Sequence, residues 1–135
     1  MIAPPPERVI EVDIVRDIDG FLRAVAVRAL VYMGEQSCPF EEEFDDNDFC
    51  GATHLVVRDG FEPVGTLRMR WFAKFAKIER VAVLSRARNG RAARALVAKA
   101  IELARRKGYE RLIGYVDTTL ASYWKRTQGV ALRGA

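Results

Sequence analysis

The chemistry in this sequence is concentrated in Lys77-Ile-Glu-Arg-Val-Ala-Val83 and the residues that follow, Leu84-Ser-Arg-Ala-Arg-Asn-Gly-Arg-Ala-Ala93. An apolar strand pattern ends at Val83, small and polar residues make a tight turn, and a helical pattern begins. Such a junction aims unpaired backbone N–H groups at whatever lies before the helix, and the helix dipole favours negative charge there. Arg86, Arg88, Arg91 and Arg94 add four guanidinium groups, whose forked donors match phosphate oxygens. The residues alone point to a phosphate-bearing ligand. A solvated basic helix start accounts for the same pattern and stays open beside it.

Other chemistry-bearing residues are more scattered. Six acids fall between Glu41 and Asp48: Glu41, Glu42, Glu43, Asp45, Asp46 and Asp48. They read as a solvated loop, or as an attractor for a cationic amine such as a polyamine or a lysine side chain. His54 begins a strand and reads as a structural hydrogen-bonding residue, with a base as the sharper alternative. Arg68 and Arg70 share a strand face and suit an acidic partner, Glu79 among them. Trp71 and Phe72 read as packing residues that could also line a cleft. Cys38 and Cys50 match no paired-cysteine motif; with the lone His54 they make too few ligands for a metal site, so no metal is expected.

The elements that must position these residues follow from periodicity. Val9–Arg16 alternates apolar and acidic residues as a half-buried strand does. Asp17-Ile-Asp19 can cap a helix whose apolar residues Phe21, Val25, Ala29 and Tyr32 recur every three or four positions to about Gly34. Pro39 and the acids form a loop with room for one helical turn. Ala52–Arg58, Val64–Phe72 and Lys77–Val83 are strands joined by short turns, an antiparallel meander. Ala93, Leu96, Val97, Ala100, Ile101 and Ala104 make one face of a second helix, with Asn89 as its cap and Gly108 as its stop. Arg111–Val116 is a fifth strand, parallel to the fourth because a helix connects them. Thr118–Thr127 reads as a last short helix.

This is an α+β pattern: a mixed sheet with flanking helices. Its 135 residues suit one domain, with residues 1–8 as a flexible leader. The start Met1-Ile-Ala-Pro-Pro-Pro6 resembles no signal peptide, and no apolar run approaches the ~20 residues that cross a bilayer. A cytoplasmic chain without a membrane partner is expected. The net charge of +4 would suit an anionic partner. Nucleic acid ranks last, because the basic patch lacks an aromatic stacking platform and the acidic loop opposes it.

Arg80-Val-Ala-Val83, Arg88-Asn-Gly-Arg-Ala-Ala-Arg-Ala-Leu96 and Gly108-Tyr-Glu-Arg-Leu112 together resemble the central signature of the GNAT acyl-CoA N-acyltransferases. Arg28-Ala-Leu-Val-Tyr-Met-Gly-Glu-Gln36, Glu43-Phe-Asp45, Asp48, Ala52-Thr-His54 and Pro63-Val-Gly-Thr-Leu-Arg68 resemble one branch of small bacterial members. The resemblance runs from about Ile10 to Gly129. It implies an acetyl group carried by coenzyme A and a primary amine, on a small molecule or a lysine, that attacks the thioester directly. Pantetheine would lie between splayed fourth and fifth strands against Val81, Ala82 and Val83. The diphosphate would rest on Arg88, Asn89, Gly90, Arg91, Ala92, Ala93 and Arg94. A backbone N–H within Val81–Leu84 would face the developing oxyanion. Glu79, with a raised pKa, would take the amine's proton, and Tyr123 would protonate the thiolate.

Three departures from the family pattern qualify this expectation. Arg91 and Ala93 stand where the family usually has glycine, and Trp124 holds the position of the usual tyrosine. Gly129-Val130 resembles the opening of a sixth strand, and Ala131–Ala135 are too short for the closing hairpin. Truncated C-terminal strands predict an exposed sheet edge that a homodimer would cover. The same departures suit an alternative, a degenerate module that binds coenzyme A with little or no turnover.

Overall fold

The computed structural model describes residues 9–114. Alternation of apolar and polar residues produces a five-stranded sheet in the order β1 (Ile10–Ile14), β2 (Ala52–Asp59), β3 (Glu62–Trp71), β4 (Ala76–Val83) and β5 (Leu112–Gly114). The first four strands pair antiparallel, and β4 pairs parallel with β5. The expected meander and strand-helix-strand unit are both present. The β2–β3 turn is tighter than expected. Gly60 takes φ +64°, so Asp59 already pairs with Glu62, and Pro63 enters the strand at a bulge where its missing N–H is tolerated.

Helix α3 (Arg91–Arg106) covers one face of the sheet. Ala93, Leu96, Val97, Ala100 and Ala104 are buried as their spacing predicts, against Leu55, Val57, Leu67, Met69, Ile78, Val81 and Val83, whereas Ile101 is half-buried and Ala92 and Leu103 are buried in addition. Its end is a Schellman motif: Gly108 sits at φ +90°, and Tyr109 N–H donates to Ala104 C=O at 3.0 Å.

Helix α1 (Ile18–Arg28) covers the other face and continues as a π-helical stretch, Ala29–Glu35. It starts earlier than its apolar periodicity suggests, because the Asp17 carboxylate accepts from Gly20 N–H at 2.9 Å. Its buried stripe is also displaced. Ala24, Val27, Arg28 and Val31 are the buried positions, while Phe21, Val25, Ala29 and Tyr32 flank them half-buried. The inward position of an arginine hid this face from the apolar pattern. Between α1 and β2 the chain forms a short helix α2 (Phe40–Glu43) and a 3-10 turn, Asp46–Asp48.

Among the described residues no helix is long and apolar enough to cross a membrane. The leader, the end of the fifth strand beyond Gly114, the helix expected over Thr118–Thr127, the shortened sixth strand and the dimer edge lie outside the described residues.

Gly65 has the closest neighbours of the described glycines. A Cβ there would lie 2.8 Å from Val57 Cγ1 and 3.2 Å from Ala82 C=O. Gly65→Ala is expected to lower the unfolding free energy by about 1–3 kcal/mol. An unchanged urea midpoint would show that β2 and β4 can move apart at this point.

Candidate functional site

Alternation along the strands sends Leu55, Leu67 and Ile78 toward α3 and their neighbours His54, Arg68 and Glu79 toward α1. Those three stand opposite one another across β2, β3 and β4. The acidic loop folds over this row. Arg28 Nε donates to Glu43 Oε1 at 2.6 Å and its Nη1 to Asp48 Oδ1 at 2.6 Å. Arg68 Nη1 donates to the same Asp48 oxygen at 2.8 Å and to Asp45 Oδ1 at 2.9 Å, and its Nη2 donates to Glu79. Arg28, Glu43, Asp48 and Arg68 are all buried.

This corrects the solvated-loop reading for three of the six acids. Glu43, Asp45 and Asp48 turn inward because two buried guanidinium groups must be neutralised. His54 takes the structural role, its Nε2 3.0 Å from Asp48 C=O. Burial pushes its pKa below the ordinary histidine value and so favours the neutral ring. Trp71 packs on Tyr109 and its Nε1 donates to Thr53 Oγ1 at 3.0 Å.

Glu79 does not have the raised pKa expected of a base. Burial does favour its neutral form. Arg68 outweighs that by hydrogen bond and charge, Lys77 and Arg70 add to it, and the carboxyl is held below its ordinary value. Arg70 Nη1 lies 3.1 Å and Lys77 Nζ 3.3 Å from Glu79 Oε1.

Past Glu79 the ladder slips. Thr66 pairs with Ala82 but Arg68 with Glu79, so Arg80 and Val81 together face Leu67. Arg80 takes φ +51°, a conformation that costs a non-glycine residue about 1–3 kcal/mol. Its side chain is tied to the acidic loop: Nη2 donates to Glu42 C=O at 3.0 Å and Nε to Glu43 C=O at 3.3 Å. Beyond the bulge, Leu84 N–H donates to Val64 C=O at 2.8 Å, which removes it as an oxyanion donor. Peptide groups alternate along a strand, so Val81 and Val83 turn theirs away from β3. Tyr32 Oη donates to Val81 C=O at 2.7 Å and Arg88 Nε to Val83 C=O at 2.9 Å. Both carbonyls are therefore engaged by the chain itself, and the N–H groups of Val81 and Val83 are the ones to consider for a ligand.

The turn after β4 runs through a 3-10 segment, Ser85–Ala87, to Gly90, whose φ of +89° lets the chain swing into α3. Arg91 is helical, with no positive φ, so its backbone does not need the family's glycine. Asn89 Oδ1 accepts from Arg91 N–H at 3.0 Å, and Arg94 N–H donates to Gly90 C=O at 3.1 Å. The first-turn N–H groups of Ala92 and Ala93 have no helical acceptor by position. Arg91 and Arg94 are exposed beside them. Arg86 pairs with Glu62 and Arg88 with Glu35, so these two guanidinium groups are committed elsewhere. Tyr123 and Trp124 lie outside the described residues, as does the part of β5 that would face Glu79–Val83.

Residues 22–128 match the model of the Acetyltransferase (GNAT) family. The chain belongs to this family. It is 38% identical over 85 residues to YjcF of Bacillus subtilis (strain 168), described as an uncharacterized N-acetyltransferase; the match covers 63% of this chain and 59% of YjcF. The fold is similar to an acyl-CoA N-acyltransferase from Pseudomonas aeruginosa, with TM-score 0.77 and 21% identity over 88% of this chain and 87% of that one. Escherichia coli ElaA is similar to the same degree, with TM-score 0.77 and 19% identity over 88% and 86%.

Arg28, Tyr32 and Arg80 carried no individual role in the sequence reading, and Glu43 and Asp48 appeared there only within the acidic run and the family motifs, although all five hold this region together. The signal for Arg28 was its position between Ala24 and Val31 on the inward face; for the loop acids it was the number of arginines on facing strands.

Arg68→Met would leave Asp45, Asp48 and Glu79 without their shared cation, and is expected to cost about 3–5 kcal/mol at pH 7. Asp45, like Glu79, is held low: burial opposes its charge, and Arg68 outweighs burial. The folded protein thus binds fewer protons on these groups than the unfolded chain. Their contribution is complete above the ordinary carboxylate range near pH ~4 and is lost as pH falls below it through the lower folded values. Glu43, raised by burial, has the opposite sign. Urea unfolding from pH 3 to 7 should show a shallower acid limb in Arg68→Met than in the wild type. Parallel curves would mean that Arg68 does not set these protonation states.

Proposed function

We propose that this chain transfers an acetyl group from acetyl-CoA to a primary amine, by direct attack within a ternary complex. The observation that carries this reading is the junction of β4 and α3. The orphan N–H groups of Ala92 and Ala93, the positive φ of Gly90 and the exposed Arg91 and Arg94 fit a diphosphate. The Val81 and Val83 N–H groups precede this turn at the end of β4, where a pantetheine amide and the thioester oxygen would need donors. The P. aeruginosa relative's description as an acyl-CoA enzyme supports the same donor.

The chain's own residues then have distinct tasks. Asn89 and Gly90 shape the turn that presents the first-turn amides. Arg88 braces Val83, and Tyr32 braces Val81. As the amine forms its bond to the acyl carbon and the carbon–sulfur bond breaks, one proton must leave the nitrogen and one must reach the thiolate. Tyr123 is the proposed donor to sulfur. Glu79 enters as an ionised carboxylate near the attacking nitrogen, with water carrying the proton away. Its three cations also favour the second reading, a coenzyme A-binding module with little turnover. The acceptor is a small-molecule amine or a lysine, and the working compartment is the cytoplasm.

Calorimetric titration with coenzyme A is expected to show saturable binding that Arg91→Glu weakens about tenfold, a change of ~1.4 kcal/mol. Absence of binding to the wild type would remove this reading. Thiol release from acetyl-CoA with a panel of primary amines separates turnover from binding alone.

Because Glu79 is held below its ordinary pKa, the rate should carry no carboxylate inflection between about pH 5 and 8. The profile should rise as the ammonium form of the amine used loses its proton. An inflection in that window that Glu79→Gln abolishes would restore Glu79 as a base of raised pKa.

A further inference from the structure

A separate cavity of about 350 Å³ lies between α1 and the loop that carries the acids. Phe21 of α1 and Phe40, Phe44 and Phe49 of the loop form its walls, and Asp45 and Asp46 edge it. No lysine or arginine is among its lining residues. The rings are arranged in two pairs, Phe21 with Phe49 at 5.3 Å between centroids and Phe40 with Phe44 at 5.1 Å. Phe40 is 59% exposed and Phe49 76% exposed, although each has a packed partner. Exposed rings at the mouth of a cavity gain by being covered, in proportion to the apolar area removed from water.

The charges around the cavity are not equivalent. Asp45 and Asp48 face Arg28 and Arg68 behind the wall. Asp46 is exposed and, among the described residues, has no cationic partner. Aromatic faces carry negative potential and attract cations within about 6 Å. One ring already does so: the Arg28 guanidinium lies 4.9 Å from the centre of Phe44. Four rings and an unpaired carboxylate complement an apolar body that carries a positive charge. An anion would be repelled by Asp46 and by the ring faces.

We propose that this cavity binds a primary ammonium attached to an aromatic or branched-alkyl body, the body seated among the four phenylalanines and the ammonium on the Asp46 carboxylate. The cavity is distinct from the row that holds Glu79. Asp45 is bonded by Arg68 at 2.9 Å and approached by Arg80 at 3.5 Å, so its edge toward β4 is already held by two guanidinium groups, and Asp46 is the carboxylate left for a ligand.

The test is calorimetric titration of the full chain with 2-phenylethylamine, with 3-phenylpropionate as the anionic counterpart and 1,4-diaminobutane as a cation without an apolar ring. Only 2-phenylethylamine is expected to bind with saturation. Phe49→Ala and Asp46→Asn should each weaken it at least fivefold. Phe61→Ala, which removes an equally exposed ring at the β2–β3 turn outside this cavity, should leave it unchanged. Thermal melts of the variants check that both fold; Phe49 and Asp46 are exposed, so neither supports the core. Equal binding of 3-phenylpropionate, no saturable binding, or wild-type affinity in both variants would overturn the proposal. Coenzyme A is titrated separately. Binding of coenzyme A without the amine overturns this inference and leaves the function proposed above standing; binding of the amine without coenzyme A supports this inference and removes that function.

Discussion

One oxygen atom holds the site side of this protein together. Asp48 Oδ1 accepts from both Arg28 and Arg68, so a helix and a central strand share a single carboxylate. Removing two guanidinium groups from water is costly, and an ion pair repays that only where geometry is good and further acceptors are at hand. The loop provides them through Glu43 and Asp45. Its course is therefore fixed by charge, since much of its apolar surface, Phe40 and Phe49 included, remains exposed. The network is better understood as a device for placement than as a source of net stability. It sets where α1, the loop, β3 and β4 stand relative to one another.

Strand β4 links the two ends of the proposed reaction site. Its Glu79 belongs to the charged row under α1, and its Val81 and Val83 belong to the apolar core under α3. The bulge at Arg80 lies between them and changes which peptide groups face β3. A ligand amide could use those groups only because the ladder is interrupted there. The helix start contributes differently. It needs no side chain to offer N–H groups, only Gly90 to turn the chain and two small residues, Ala92 and Ala93, to let the first turn lie close to the sheet.

Much of this architecture could be read from periodicity. The strands alternate over long stretches, and the stripe from Ala93 to Ala104 matches what α3 buries. Caps were legible too, in Asp17 and Gly108. The site was less so. An inward arginine such as Arg28 breaks the apolar pattern that defines a helix face, which is why the stripe of α1 was placed one position off. The acids of the loop look solvated because their partners come from strands far away in sequence. Glu79 shows the same limit: its position on the strand was evident, but its ionisation depends on Arg68, Arg70 and Lys77 at once. A backbone bulge leaves almost no trace in residue types, and Arg80 does not resemble a residue with positive φ.

Arg80 answers two demands that no single amino acid satisfies fully. The backbone at that point would relax most readily as glycine, whereas the loop requires a long cationic side chain reaching Glu42 and Glu43. Exchange for glycine would relieve the peptide and at the same time release the loop, so the two effects oppose one another in a melting experiment while the proposed cleft would lose its shape. Such a position weighs less in selection for thermostability than either effect alone would. A laboratory lineage evolved for heat resistance alone would be free to drift there.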